Sequence, residues 1–106
     1  MVIYSSRAID DLTNILYGLR NWTKHFVSDE QAIRYVDDIS DICDHLDTKS
    51  FHFNARFIFH KRYGEKVYTY RRNKNTIWYI IYNLDQHGNV YIQRIISNYN
   101  TKSDSA

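Results

Sequence analysis

The chain has 106 residues, one cysteine and no proline, and its 14 Lys and Arg against 12 Asp and Glu leave a net charge of +2. That length holds one domain with a real core and is too short for two. Lone Cys43 excludes an internal disulfide, no apolar run approaches the roughly 20 residues that span a bilayer, and MVIYSSRAIDD lacks the cationic-then-apolar order of a secretory signal. A cytoplasmic, reducing setting is the expectation.

Val2-Ile3-Tyr4 is short and β-prone, a candidate first strand. Ser5 or Ser6 can cap the helix that follows, and Asp10 and Asp11 stand near its positive end. Ala8, Leu12, Ile15, Leu16, Leu19 and Trp22 recur at helical spacing as one apolar stripe. A second helix starts with a capping box of Ser28 and Gln31, with Val27 and Ala32 placed as its hydrophobic staple. Ala32, Val36, Ile39, Cys43 and Leu46 continue as a narrow seam that suits one neighbouring helix and a sheet. Asp37, Asp38, Asp41, Asp44 and Asp47 read as a solvated face of that helix rather than as acid/base or metal chemistry.

Between Lys49 and Lys66 lies SFHFNARFIFHKRYGE, with Phe51, Phe53, Phe57 and Phe59 spaced in twos around Ala55. Either an irregular strand or a long loop pinned by its rings fits, and a loop this long in a compact domain is usually functional or misassigned. It delivers His60, Lys61, Arg62 and Tyr63 to the next strand.

From Val67 to Tyr99 the pattern is a β-meander. Val67 to Asn73 and Thr76 to Leu84 are separated by Asn73-Lys74-Asn75, and Asp85-Gln86-His87-Gly88-Asn89 precedes Val90 to Asn98. Breaks this short permit only antiparallel neighbours. Arg71, Arg72, Lys74 and Arg94 interleave with Tyr68, Tyr70, Tyr82 and Tyr91, a mixture that suits phosphates and unstacked bases, or else a half-buried sheet with a basic outer face. Arg71 and Arg72 are adjacent and so point to opposite faces. If the Val67 side meets the helices, Arg72 is exposed beside a tyrosine platform; if the tyrosines pack inward, Arg71 faces the ligand and Arg72 needs a carboxylate or the rim. The polar residues 100–106 form a tail beyond a single domain of 1–99.

Charge is split along the chain. Residues 1–47 carry four Lys/Arg against nine Asp/Glu, and residues 48–106 carry ten against three, or −5 and +7. Such a split implies a basic face offered to an anion, phosphate or the carboxylates of an acidic protein, with an acidic face elsewhere. Other constellations are thin. Cys43-x-His45 with His52 or His60 lacks paired metal-ligand spacing, and Cys43 belongs to the apolar seam. With three glycines there is no phosphate-binding loop, so no cofactor is implied. Gly88 suits a turn and Gly64 a loop, while Gly18 marks a close helix approach or a bend.

The order βααβββ resembles the RelE/ParE superfamily of bacterial toxins from type II toxin–antitoxin systems. IYSSRAIDDLTNI is similar to that family's opening strand and helix, and YTYRRNKNTIWYIIYNLDQHGNVYIQRI to its closing meander. The resemblance spans about Val2 to Tyr99 as an ordered pattern of elements, and no single motif in it is diagnostic. It implies an α+β fold with two antiparallel helices packed on one face of a mostly antiparallel sheet. It also implies growth inhibition, relieved by an antitoxin that wraps the toxin. RelE-like members cleave ribosome-bound mRNA as endoribonucleases, and ParE-like members block DNA gyrase. In the RNA-cleaving order, Lys61 and Arg62, then Arg71 or Arg72, then Arg94 and Tyr99 stand as catalytic candidates, with His60, Tyr68, Tyr70 and Lys74 beside them as substrate-binding candidates. Such chemistry needs a base for the 2′-hydroxyl, cations against the phosphorane and a donor to the leaving oxygen. The chain departs from the family in having Ser97-Asn98-Tyr99 where ParE-like members end in His and arginines. It also lacks the proline and glycine-arginine segment and the exact lysine spacing of the RNA-cleaving type.

Overall fold

A computed structural model describes residues 1–20 and 28–99. In chain order these form β1 (Val2–Tyr4), α1 (Ser6–Arg20), α2 (Asp29–Asp44), a 3₁₀ turn at Leu46–Thr48, β2 (Phe53–Asn54), α3 (Ile58–Lys61), β3 (Lys66–Arg71), β4 (Ile77–Leu84) and β5 (Val90–Ser97). The sheet runs β1-β5-β4-β3-β2, antiparallel throughout except where β1 lies parallel to β5. The expected α+β order is therefore present. Two short elements, β2 and α3, are added inside the segment that sequence left between strand and loop. The tail beyond Tyr99, Trp22 and the staple residue Val27 lie outside the described residues.

Both long helices begin on side-chain caps. Ser5 Oγ accepts from the Ala8 amide at 3.0 Å. Ser28 Oγ accepts from the Gln31 amide and Gln31 Oε1 from the Ser28 amide, each at 3.1 Å, so the capping box is complete. Each such cap is worth about 1 kcal/mol. Ala32, Ile39, Cys43 and Leu46 are fully buried along the α2 seam, Val36 is half-buried, and Ala8, Leu12 and Ile15 of α1 join the same core. Among the described residues nothing approaches within 4 Å of where a Gly18 Cβ would stand, so no close helix contact is found there.

The helices cover one face of the sheet. Val2, Tyr4, Tyr68, Tyr70, Trp78, Ile80, Tyr82, Leu84, Val90, Ile92 and Ile95 point into that layer. Full burial of one such isoleucine contributes about 1.5–3 kcal/mol. A bulge interrupts the β4–β5 ladder: Tyr82 pairs with Ile92 but Ile81 with Arg94, leaving Gln93 as the extra residue. The bulge reverses the alternation of β5. Val90, Ile92 and Ile95 thus all face the helices, while Arg94 joins Tyr91 and Ile96 on the other side.

That other face carries Phe53, Val67, Thr69, Arg71, Ile77, Tyr79 and Ile81, as the register of β2, β3 and β4 requires. The turn after α3 crosses it tightly. A Cβ on Gly64 would stand 3.0 Å from Ile81 Cγ2 and 3.1 Å from the Tyr82 carbonyl oxygen, so glycine is needed there for space rather than for backbone angle. Gly88, at φ +81, occupies the β4–β5 turn in the conformation glycine alone adopts without strain.

Candidate functional site

β3 decides which cation faces outward. Tyr68 and Tyr70 pack toward the helices, and Arg72, beyond the strand end on the same side, follows them. Arg72 Nη1 meets Asp38 Oδ2 of α2 at 2.5 Å and donates to the Tyr70 hydroxyl at 2.9 Å, and its guanidinium lies 4.3 Å from the Tyr35 ring centre. Burial opposes its charge, but the bonds to Asp38 and Tyr70 outweigh that, and its pKa is raised. Of the two arrangements open from sequence, the tyrosines-inward one is found. The tyrosines form no outward platform, and Tyr82, fully buried, bonds His52 at 2.6 Å with its phenol pushed up to about 12 by burial. Arg71 is exposed on the opposite face.

Arg94 is also committed. Its Nε and Nη2 donate to Asp11 of α1 at 2.8 and 3.2 Å, and its guanidinium lies 4.6 Å from the Tyr63 ring centre. β1 pairs with β5 only as far as Ile92, so Asp11 also takes the Ile95 amide at 2.8 Å along the bare edge. The Asp11 bonds raise the pKa of Arg94. Tyr99 is exposed and donates its hydroxyl to the Asn75 carbonyl at 3.0 Å, which ties it to the β3–β4 turn that carries exposed Lys74. His60 is buried, 4.4 Å from the Tyr79 ring and 4.3 Å from that of Phe59, while Lys61 and Arg62 beside it are exposed.

The six catalytic candidates are thus not assembled into one cluster. Arg72 and Arg94 hold the helices to the sheet; Lys61, Arg62 and Arg71 remain outward with Lys74 and Tyr99. The acidic stripe of α2 is likewise only partly solvated. Asp38 holds Arg72, Asp44 accepts from the Tyr4 hydroxyl at 2.5 Å, and Asp47 meets the Met1 ammonium at 2.8 Å. Burial first, then the Asp44 bond, raises the Tyr4 phenol, and burial pushes the Cys43 thiol up to about 12, as suits a core residue.

What the structure does assemble is a groove of about 550 Å³ between the β2–α3 segment and the face of β3 and β4. Phe53, Phe57, His60 and Tyr79 contribute rings, Thr69 its floor and Arg56 a cation. Phe53 is 62% exposed and Phe57 53%. From Thr48 to Leu84 the chain carries eight Lys and Arg and a single acid, Glu65. This surface can hold an anion and a flat ring together. Sequence reasoning passed over Phe53, Arg56, Phe57 and Tyr79; the signal was rings spaced in twos within the most basic stretch. Among the described residues no helix is long and apolar enough to cross a membrane. Comparison with family models, curated proteins and solved structures yields no match.

Proposed function

We propose that this chain is a cytoplasmic, growth-arresting toxin of the RelE/ParE kind, silenced by an antitoxin from a neighbouring reading frame, and that its target is ribosome-bound mRNA. The observation that carries this reading is the sheet face left open by the two helices, which holds the exposed Arg71 and an aromatic groove lined by Arg56, with Lys61 and Arg62 exposed at the end of the segment that flanks the groove. Cations against phosphate and rings beside them are what an RNA strand requires. The βααβββ order supports the same reading through its resemblance to those toxins. Cleavage would draw on Lys61, Arg62 and Arg71 against the phosphorane, with Tyr99 as the exposed hydroxyl at that end of the sheet.

A second reading has its own support. Arg94 is bound to Asp11, which removes its position from the RNA-cleaving series, and Arg72 is bound to Asp38, which leaves only Arg71 for the strand position; this suits a protein that binds without chemistry, as a gyrase inhibitor does. Induction of the chain alone separates the two. Growth arrest with new transcript ends within minutes and normal supercoiling is expected for the mRNA target. Relaxed plasmid with intact transcripts would replace it with gyrase, and unimpaired growth with confirmed soluble protein would leave only a degenerate member that binds its antitoxin.

A further inference from the structure

We infer that the groove between the β2–α3 segment and the strands takes one unstacked nucleobase of a single-stranded RNA, with the adjoining phosphates on Arg56 and Arg71. This rests on the reading of that face as RNA-binding and names the part of the ligand it selects. None of the groove's lining residues is a catalytic candidate, though His60 and Tyr68 are among the substrate-binding ones.

Three observations converge on it. The volume of about 550 Å³ lies within the range of pockets that hold small organic ligands, and its walls are rings. Phe57 stacks on Phe59 at 5.5 Å with 14° between planes, and Phe51 meets Phe53 edge-on at 4.9 Å, so the rings are ordered by one another although Phe53 and Phe57 are more than half exposed. Exposed rings grouped around a concavity mark an interaction site. Charge then selects the partner. Arg56 lines the groove, and Arg71 stands two residues beyond Thr69 on the same face, about 7 Å along the strand.

An acidic peptide would share the charge but not the shape. The edge strand β2 has only two residues, Phe53 and Asn54, and offers few main-chain bonds to an added strand, while carboxylates make no use of ring faces. A base does use them, and in a duplex it is already stacked and out of reach.

The test is anisotropy of a fluorescein-labelled hexauridylate with the full chain, competed by an RNA duplex of equal phosphate count and by polyglutamate. Single strand should bind more tightly than duplex. Phe57→Ala should weaken it roughly 5- to 100-fold with an unchanged salt slope. Phe57→Trp should retain binding, and Arg56→Ala should weaken it and lower the salt slope by about one. Phe53→Ala, outside any helix cap, serves as a second ring variant should Phe57→Ala disturb α3. Equal binding of single strand and duplex, indifferent to both ring variants, would overturn the base site and leave RNA binding by this face intact. Stronger, Phe57-dependent binding of polyglutamate would make the groove a peptide site. No binding of any RNA would overturn this inference and the RNA target together.

Discussion

The two faces of one sheet are put to opposite uses. Toward the helices, Ile80, Ile92 and Val90 are fully buried and Arg72 at the rim is held by a carboxylate of α2, while Arg94, which leaves β5 on the other face, is held at the sheet edge by Asp11 of α1. Away from the helices, rings stand half in water, and Arg71, one residue from Arg72, is exposed. The difference teaches that residue type alone does not assign a face here. β3 carries tyrosines on one side and Val67 and Thr69 on the other, and either set is acceptable in a core. What distinguishes the two sides is their surroundings: Tyr68 and Tyr70 pack into the helix core, and Arg72, which comes with them, meets Asp38.

The largest expected effect lies on the helix side. Ile92→Ala removes a fully buried side chain from the shared core and should cost about 2–5 kcal/mol, read as a lower urea midpoint at unchanged slope. Phe53→Ala on the open face should stay within about 1 kcal/mol of the parent. Similar losses from both would erase the distinction between a core face and a binding face.

Much of this arrangement was legible beforehand. Ser28 and Gln31 announced the second helix, the 4–3 spacing from Ala32 to Leu46 gave its buried side, and Gly88 gave the last turn. Those signals act over a few residues, where backbone chemistry is decisive. The side on which β3 presents its tyrosines was not legible, because it depends on contacts with helices far along the chain, Asp38 among them, 34 residues from Arg72. Nor was the facing of Arg94, since plain alternation from Ile92 would send it inward and only the bulge at Gln93 reverses that. The split of −5 and +7 between the two parts of the chain read as two external surfaces. Part of it is internal: Asp38–Arg72 and Asp11–Arg94 tie the acidic helices to the basic sheet. In the 50–65 segment, phenylalanines in twos imitate a strand, yet only Phe53–Asn54 pairs, and one uncapped helical turn follows.

The three arginines sharpen the comparison at intermediate size. Arg94→Ala strands Asp11, whose side chain is only 13% exposed, and should cost about 2–3 kcal/mol even though the Ile95 amide still reaches that carboxylate. Arg72→Ala leaves Asp38, 42% exposed, free to hydrate, so about 1 kcal/mol is expected, including the lost contact with Tyr35. Arg71→Ala should change stability by no more than about 0.5 kcal/mol, yet weaken RNA binding and lower its salt slope by about one. Thermal melts and binding isotherms on the three proteins check the order. A destabilised Arg71→Ala beside a neutral Arg72→Ala would reverse the assignment of the faces.

The smallest effect concerns the β4–β5 turn, at the far end of both faces. Asp85 accepts from Asn89 Nδ2 and the Asn89 amide at 2.9 Å, from the His87 amide at 2.8 Å and from the Tyr91 hydroxyl at 3.1 Å. The Asn89 side chain is the largest influence, and together these donors hold the carboxyl at about 2 against an ordinary 3.8. A folded-state pKa below the unfolded one means that the unfolded chain binds the proton first as pH falls. The contribution of Asp85 is therefore complete above about pH 4 and disappears between about pH 4 and 2. Asp85→Asn lacks that titration, so the stability gap between it and the parent should be widest near neutrality and close across this window. Asp47, also lowered by the Met1 ammonium, is present in both proteins and cancels in the difference. Denaturation midpoints of the pair at pH 7, 4, 3 and 2 provide the measurement. A gap that stays constant through pH 2 would mean that the turn is held by its glycine and backbone bonds, with the charge on Asp85 contributing nothing.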